Sequence, residues 1–390
     1  MAPRPLKVAV VGASLSDDPA RHQRFAIRAH LPALKALPEL FEVIATCTTT
    51  MDTATAAARQ FEVPHAFDNV DRMLRELPDI DVVCVSVRPI AQHEVVMAAL
   101  AAGKHVYCEH PFGATTAQAA RMFKLARQNN LRTVVGHEHH YEPAMLEMLN
   151  LMRQGYVGQP INFNITFFNS GLIAPQAQPR PWLYQADMGG HAAWRTGHSL
   201  ERITSVLGDI DSICADMKVH APPRATGALP EVTQTNNLNF LLRTGGGAMG
   251  SLQVCLTAWF GAGWSFQIYG SEGMLMLREE NLGRKSTVKG DPKSGHSSLY
   301  GARMGQPKMA AIMPAPQHHL VSGIDEVSTT FPVAQMWHAL AMAINSGTEC
   351  APNFRDELKI HCVWDAAERS MQSRAWTTVD YGVLPERAPG

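Results

Sequence analysis

Cysteine is sparse and shows no pairing pattern: seven residues, at positions 47, 84, 108, 214, 255, 350 and 362, with no Cys-x-x-Cys among 390 residues. An odd, scattered set argues against a disulfide framework and a structural zinc site, and predicts a reducing, cytoplasmic compartment. Net charge is nearly absent. Thirty-four Lys plus Arg against 35 Asp plus Glu leave −1, so no global field recruits nucleic acid or an anionic membrane, and the expected partner is a small-molecule substrate. No apolar stretch approaches bilayer-spanning length, and residues 1–5, the only ones before the first apolar run, leave no room for a signal peptide. There is no internal repeat. What is present in excess is histidine: 17, about twice an average chain's share. Imidazole titrates near neutral pH, so the excess either serves proton chemistry or is scattered drift.

A chain of this length with 46% hydrophobic residues predicts two packed domains. Residues 6–12 read as a continuously apolar strand ending in glycine, followed by a polar loop over 14–24 and a helix over 25–36. Strands at 41–47, 80–87, 105–108 and 131–136 alternate with helices at 53–61, 73–77, 92–102 and 114–129. That alternation means right-handed βαβ units and an open, doubly wound parallel sheet of the Rossmann type. After about residue 155 the rhythm changes to strands at 161–169, 210–220, 236–244, 248–258, 265–270 and 274–279, with helices at 143–154 and 197–207. Period-two alternation in several of these strands predicts an α+β domain with a mainly antiparallel open sheet. Residues 283–316, rich in Gly, Ser, Pro and Lys, read as a mobile loop or lid, or equally as a disordered surface insertion. Helices are expected again over 333–345 and 356–373.

A glycine closing the first strand lets the backbone turn sharply and approach a pyrophosphate; Gly12, followed by Ala13 and Ser14, has that position. Arg88, Pro89, His93, Glu109 and His110 fall at or just beyond the carboxyl ends of later strands, where open α/β sheets bind ligands.

The stretch "DIDVVCVSVRPIAQHEVVMAALAAGKHVYCEHPFG" resembles the glucose-fructose oxidoreductase, inositol dehydrogenase and rhizopine catabolism (Gfo/Idh/MocA) family, whose pattern is Pro four residues before His, then Gly-Lys-His-Val and Glu-Lys-Pro. "GHEHHYEPAMLEMLNLMRQGYVGQPI" looks like that family's crossover into its second domain, "GGHAAWRTGHSLERITSVLG" like its substrate helix, and "YGSEGMLML" like its late hairpin. "RFAIRAHLPAL" and "RTGHSLE" are most similar to a subgroup that includes the fungal galactose-regulon corepressor. The resemblance implies a dinucleotide-binding domain over residues 1–137, and a substrate and oligomerisation domain over 138–390 with a C-terminal helix packing back. It also implies a homodimer or homotetramer.

The family often places an acid at the end of the second strand to hold the ribose; Thr48 stands there, so the cofactor is NAD or NADP. Members that move hydride use the Lys of Glu-Lys-Pro and a downstream His. This chain has His110 at the lysine position and retains the downstream residue as His198. The expected roles are His198 as general acid/base, His110 polarising the reacting oxygen or sharing its proton, and Arg195 either replacing the lost lysine charge or forming a salt bridge. Glu201, three residues on, is placed to orient His198. His137, His139, Trp182 and Trp194 are expected along the substrate, with His191 and Tyr184 nearby. The alternating His137 and His139 also invite a metal reading, set aside because carboxylate partners at ligand spacing are lacking apart from Glu138 and Glu142. The function expected is NAD(P)-dependent hydride transfer at a secondary alcohol or ketone of a sugar, polyol or cyclic hydroxy compound. Two alternatives stand beside it: a cofactor-sensing regulator with altered chemistry, and an enzyme that oxidises its substrate transiently to cleave a bond.

Overall fold

The computed structural model describes residues 4–15, 24–170, 193–220, 233, 235–279, 297–326 and 328–384, the side chains of 193–195 excepted. It divides into two compact units, Met1–Tyr141 with Leu320–Leu358, and Glu142–His319 with Lys359–Gly390.

The first unit is built on six parallel strands, β1 (Leu6–Val11), β2 (Phe41–Cys47), β3 (His65–Phe67), β4 (Val82–Val85), β5 (His105–Glu109) and β6 (Thr133–Gly136). They lie in the order β3-β2-β1-β4-β5-β6. Every residue of β4 and β6 is buried, which is why these strands read as unbroken apolar runs. The order reverses between β1 and β4, and that switch point is where sheets of this type receive a ligand. The three-residue β3 was not expected: an edge strand so short carries no period to read.

The expected helix over 25–36 differs in kind. It opens with a π-helical turn, Ala26–His30, and continues as the α-helix Leu31–Lys35. Pro32 lacks the N–H that would bond the carbonyl of Arg28, and the Thr330 hydroxyl supplies that donor at 3.3 Å.

Residues 320–358 were expected with the second domain, by a single cut at 137/138, but belong to the first unit. The reason is the helix Thr330–Ser346, whose Phe331, Val333, Met336, Trp337, Leu340 and Ala341 are all buried. A helix apolar around most of its circumference needs a core on several sides. Trp337 packs its ring at 4.7 Å from Tyr107 and 5.1 Å from Phe41, and Tyr107 donates its hydroxyl to Met336 Sδ at 2.8 Å. The helix Phe354–Ser373 follows; its residues to Leu358 lie with the first unit and those from Lys359 with the second.

The second unit carries a nine-stranded sheet. Its strands are β7 (Pro160–Phe168), β8 (Ile210–Lys218), β9 (Asn237–Thr244), β10 (Met249–Cys255), β11 (Gly263–Gly270), β12 (Gly273–Glu279), β13 (Ser297–Arg303), β14 (Ala310–Ile312) and β15 (Thr377–Thr378). They run β14-β13-β12-β11-β7-β10-β9-β8-β15, antiparallel except for the pair β10 and β7. The alternation of β9 places Leu238, Phe240 and Leu242 inward, where they share one core with Phe163, Ile165, Leu200, Ile203, Leu252, Phe266 and Val363. Leu200 and Ile203 come from the helix Ala193–Leu207, longer at its start than expected.

The lid or disordered insertion expected over 283–316 is corrected for its second half. Residues 297–303 and 310–312 are sheet strands, with Leu299 buried and opposite Leu277. The Gly and Ser of that stretch hide a pattern that pairing with β12 makes regular. Residues 283–296 lie outside the described residues.

Candidate functional site

The candidate residues of the first unit gather at the carboxyl edge of the parallel sheet. Gly12 follows β1 with φ +99, and a Cβ there would overlap the Ser86 carbonyl. Both facts demand glycine and leave a bare backbone cradle at the switch point. Ala13 is buried and Ser14 half-buried. Across the switch, Pro89 occupies the first turn of the helix Pro89–Ala101, preceded by the exposed Arg88, whose side chain makes no capping bond. One turn in, His93 Nε2 is buried without a hydrogen-bond partner. A bare cradle, a helix N-terminus and an unsatisfied imidazole nitrogen along one edge fit a dinucleotide.

Gln92, which the sequence reading passed over for its neighbour His93, braces this edge. Its Nε2 donates to the carbonyls of Glu109 (2.8 Å) and Val87 (3.3 Å), and its Oε1 accepts from Gly113 N (2.7 Å). The loops after β4 and β5 are thereby clasped by one buried amide. At the end of β2, Thr48 is occupied locally: its hydroxyl donates to Thr50 O at 2.8 Å and meets Thr53 Oγ1 at 2.7 Å. No carboxylate stands in the run from Thr48 to Met51, so nothing in it repels a 2′-phosphate.

Glu109 was expected at the cofactor; its side chain meets His30. Trp337 Nε1–H donates to His30 Nδ1 at 3.2 Å, so the ring proton sits on Nε2 and is donated to Glu109 Oε1 at 2.9 Å. Burial pushes His30 down to about 3, which keeps the ring neutral. Burial, reinforced by the charge of Glu138, pushes the Glu109 carboxyl well above the usual range. A side chain at Gly136 would collide with Glu109, so that glycine makes room for the carboxyl. His30 was not singled out from the sequence, although "RFAIRAHLPAL" contains it.

His110 and His137 come together, their rings 4.4 Å apart and 37° from parallel. Between them stands a residue the sequence did not reveal, Glu357. Its Oε1 accepts from His110 Nδ1 at 2.9 Å and its Oε2 from His137 Nε2 at 2.6 Å. The backbone explains the meeting: Val135 N donates to Pro352 O at 2.9 Å and Phe354 N to Thr133 Oγ1 at 3.4 Å, which stitches the helix start to β6. Burial alone would raise the Glu357 carboxyl, but the two imidazoles hold it well below the usual carboxylate range. Two imidazoles and a carboxylate, with ligand-type atoms within 4.8 Å, are also donors a transition metal accepts, and Glu357 supplies the carboxylate the metal reading lacked. In this geometry the two nitrogens are spent on hydrogen bonds to the carboxylate.

The expected strand-like alternation of His137 and His139 is corrected. β6 ends at Gly136, and Glu138–Tyr141 is a 3-10 turn, so the ring of His139 is 29% exposed while His137 is 1% exposed. His140 is buried against Tyr141.

In the second unit the helix Ala193–Leu207 carries His198, half-buried. Glu201 on the same helix accepts from Ser205 Oγ at 2.5 Å. The helix is held by Ser199, which accepts from Trp264 Nε1 at 3.1 Å, and by the buried pair Arg202 and Glu279 at 2.7 Å. Trp194 and Arg195 fall on its first turn, their side chains outside the described residues; Trp182, Tyr184 and His191 lie outside them entirely. Among the described residues no helix is long and apolar enough to cross a membrane.

Two family models match the sequence. An oxidoreductase family with an NAD-binding Rossmann fold, GFO_IDH_MocA, covers residues 6–137, and the GFO/IDH/MocA C-terminal domain covers 145–276. Levoglucosan dehydrogenase from Pseudarthrobacter phenanthrenivorans is 23% identical over 387 residues, spanning 91% of this chain and 96% of that protein. An NAD binding oxidoreductase from Klebsiella pneumoniae superposes with TM-score 0.80 at 24% identity, over 96% of this chain and 99% of that one. Levoglucosan dehydrogenase in complex with NADH and levoglucosan gives 0.79 at 21% identity, over 96% and 100%. The fold is shared.

Proposed function

The chain belongs to the Gfo/Idh/MocA family of oxidoreductases, and from that membership we propose that it transfers hydride between a nicotinamide dinucleotide and a secondary alcohol or ketone of a sugar, polyol or cyclic hydroxy compound. The observation that carries this reading is the conjunction of the Gly12 cradle at the switch point with a buried carboxylate and imidazole cluster at the family's lysine position. The substrate class rests on the likeness to a levoglucosan dehydrogenase along 91% of the chain.

A bound nicotinamide supplies the carbon that takes or gives the hydride. The chain's own residues supply the rest. Gly12, Ala13 and Ser14 would hold the pyrophosphate through backbone, together with the helix end at Pro89 and the His93 nitrogen. Thr48, at the end of β2, would hold the ribose. Oxidation of a CH–OH group releases a proton with the hydride, and His198 takes that proton as general base. His110 holds the oxygen through its Nε2, the task the family gives to lysine. Arg195 adds positive charge for the forming alkoxide, and His139, Trp182 and Trp194 contact the substrate. NAD is the preferred cofactor, supported by the NADH-bound neighbour.

The test is direct. NADH and NADPH binding is followed by energy transfer to the nicotinamide, then turnover is measured on a panel of sugars, polyols and their ketones in both directions. Stoichiometric formation of reduced cofactor supports the reading. Neither binding nor turnover across the panel overturns it.

A further inference from the structure

Glu357 reaches His110 and His137 from a helix more than 200 positions later, and each of its carboxylate oxygens has its own imidazole partner. The three side chains are 1–2% exposed. We infer that Glu357 is a positioning residue that makes His110 a working substitute for lysine: it selects the ring tautomers of His110 and His137 and supplies the charge that balances a proton taken by His110. The tautomer assignment stands on the distances; the catalytic consequence rests on the hydride-transfer reading above.

An ionised carboxylate only accepts, so both contacts need a proton on the ring nitrogen. His110 therefore carries its proton on Nδ1, and its basic nitrogen is Nε2. His137 carries its proton on Nε2, and its basic nitrogen is Nδ1. With both rings neutral the cluster bears one negative charge in a nearly water-free place, which is costly; one added proton brings it to zero. That proton, taken on His110 Nε2, restores at this position the cation that lysine would carry, and it can be given up again. Protonated on Nε2, His110 donates to the oxygen of a bound alcohol as lysine would, and the charge of Glu357 balances that imidazolium.

Among the described residues, other ionisable groups stand next to the members of the cluster along the chain. Glu109 and Cys108 precede His110 on β5, Glu138 follows His137, and Asp356 precedes Glu357 with its carboxylate engaged by Asn353 N at 3.0 Å. Burial and the neighbouring acids push Cys108 well above its ordinary value, and burial raises the Glu109 carboxyl as well. Glu357 bonds both rings, one through each carboxylate oxygen.

The test is Glu357→Gln, which keeps shape and removes charge. A carboxamide has one acceptor and one donor end, so one ring must reverse its tautomer. Long-range proton–nitrogen NMR spectra of the histidine-labelled full chain, assigned with His110→Asn and His137→Asn, read this without substrate. The wild type is expected to show Nδ1–H at His110 and Nε2–H at His137. In the variant one assignment is reversed, and the proton affinity of His110 falls about tenfold or more. In turnover, the pH limb belonging to His110 moves by the same factor while NADH affinity is retained. If E357Q does not fold, Glu357→Asp keeps the charge and is expected to keep both tautomers. The inference fails if both tautomers and the His110 proton affinity are identical in wild type and E357Q. NMR changes in a protein that oxidises nothing on the panel overturn the hydride-transfer reading and leave the positioning role intact.

Discussion

Glu357 Oε2 lies 2.6 Å from Nε2 of His137, a residue 220 positions earlier in the chain. That contact joins the end of β6 to a helix that the sequence assigns to another domain. It converts two histidines of unremarkable spacing into one ionic unit.

Replacing Gly12 with alanine should damage fold and binding together. The position has φ +99 and no space for a Cβ beside Ser86 O, so either the turn or β4 must move. The expected result is roughly 2 kcal/mol or more of lost stability and at least a tenfold weaker NADH affinity, read by urea melts and fluorescence titration.

His198→Asn separates binding from chemistry. If His198 is the proton acceptor, kcat falls by about 10²–10⁴ while NADH affinity stays near wild type. Turnover unchanged in the variant would remove His198 from the mechanism.

Gln92→Leu leaves the N–H of Gly113 without its partner and the Glu109 carbonyl with only the weak Cys108 thiol contact at 3.6 Å. Each buried group so stranded costs about 1–3 kcal/mol, so a loss of roughly 2 kcal/mol or more is expected. The loops it clasps carry Arg88, Pro89 and His110, and a rise in KM for the dinucleotide should accompany the lower melting temperature.

His30 predicts an acid-side loss of stability. Its folded value of about 3 lies below the ordinary 6.5, so between those pH values the unfolded chain binds a proton that the folded one refuses. Its contribution is complete above pH 6.5 and is lost as pH falls toward 3, at up to about 1.4 kcal/mol per pH unit. Comparing urea melts of wild type and His30→Asn at pH 7.5 and pH 5, the wild type should lose about 2 kcal/mol relative to the variant. Glu109, raised in the fold, has the opposite sign above pH 4.5 and is present in both proteins.

The parallel sheet was legible because its strands are buried on both faces and its helices recur at regular intervals. β4, for example, is the four-residue core of a run the eye finds at once. Gly12 was legible for a similar reason, since a positive φ at a strand end is a local demand. β13 was not, because its Ser, Gly and Ala residues become a strand only when β12 pairs with them. The helix Thr330–Ser346 was found, but not its home: an apolar helix says that it needs a core, not which one.

From its sequence alone this chain is a two-domain protein with a dinucleotide-type parallel sheet, no net field, an excess of histidine, and His110 where a hydride-transfer family has a lysine. Those are properties of neighbours in sequence, carried by periodicity, composition and short motifs. What tertiary structure alone decided is which nitrogen of each ring carries the proton in His30, His110 and His137. Trp337 sets the tautomer of His30 and Glu357 sets those of His110 and His137, each from more than 200 residues away. A proton's place on an imidazole depends on the atom opposite, and only folding chooses that atom.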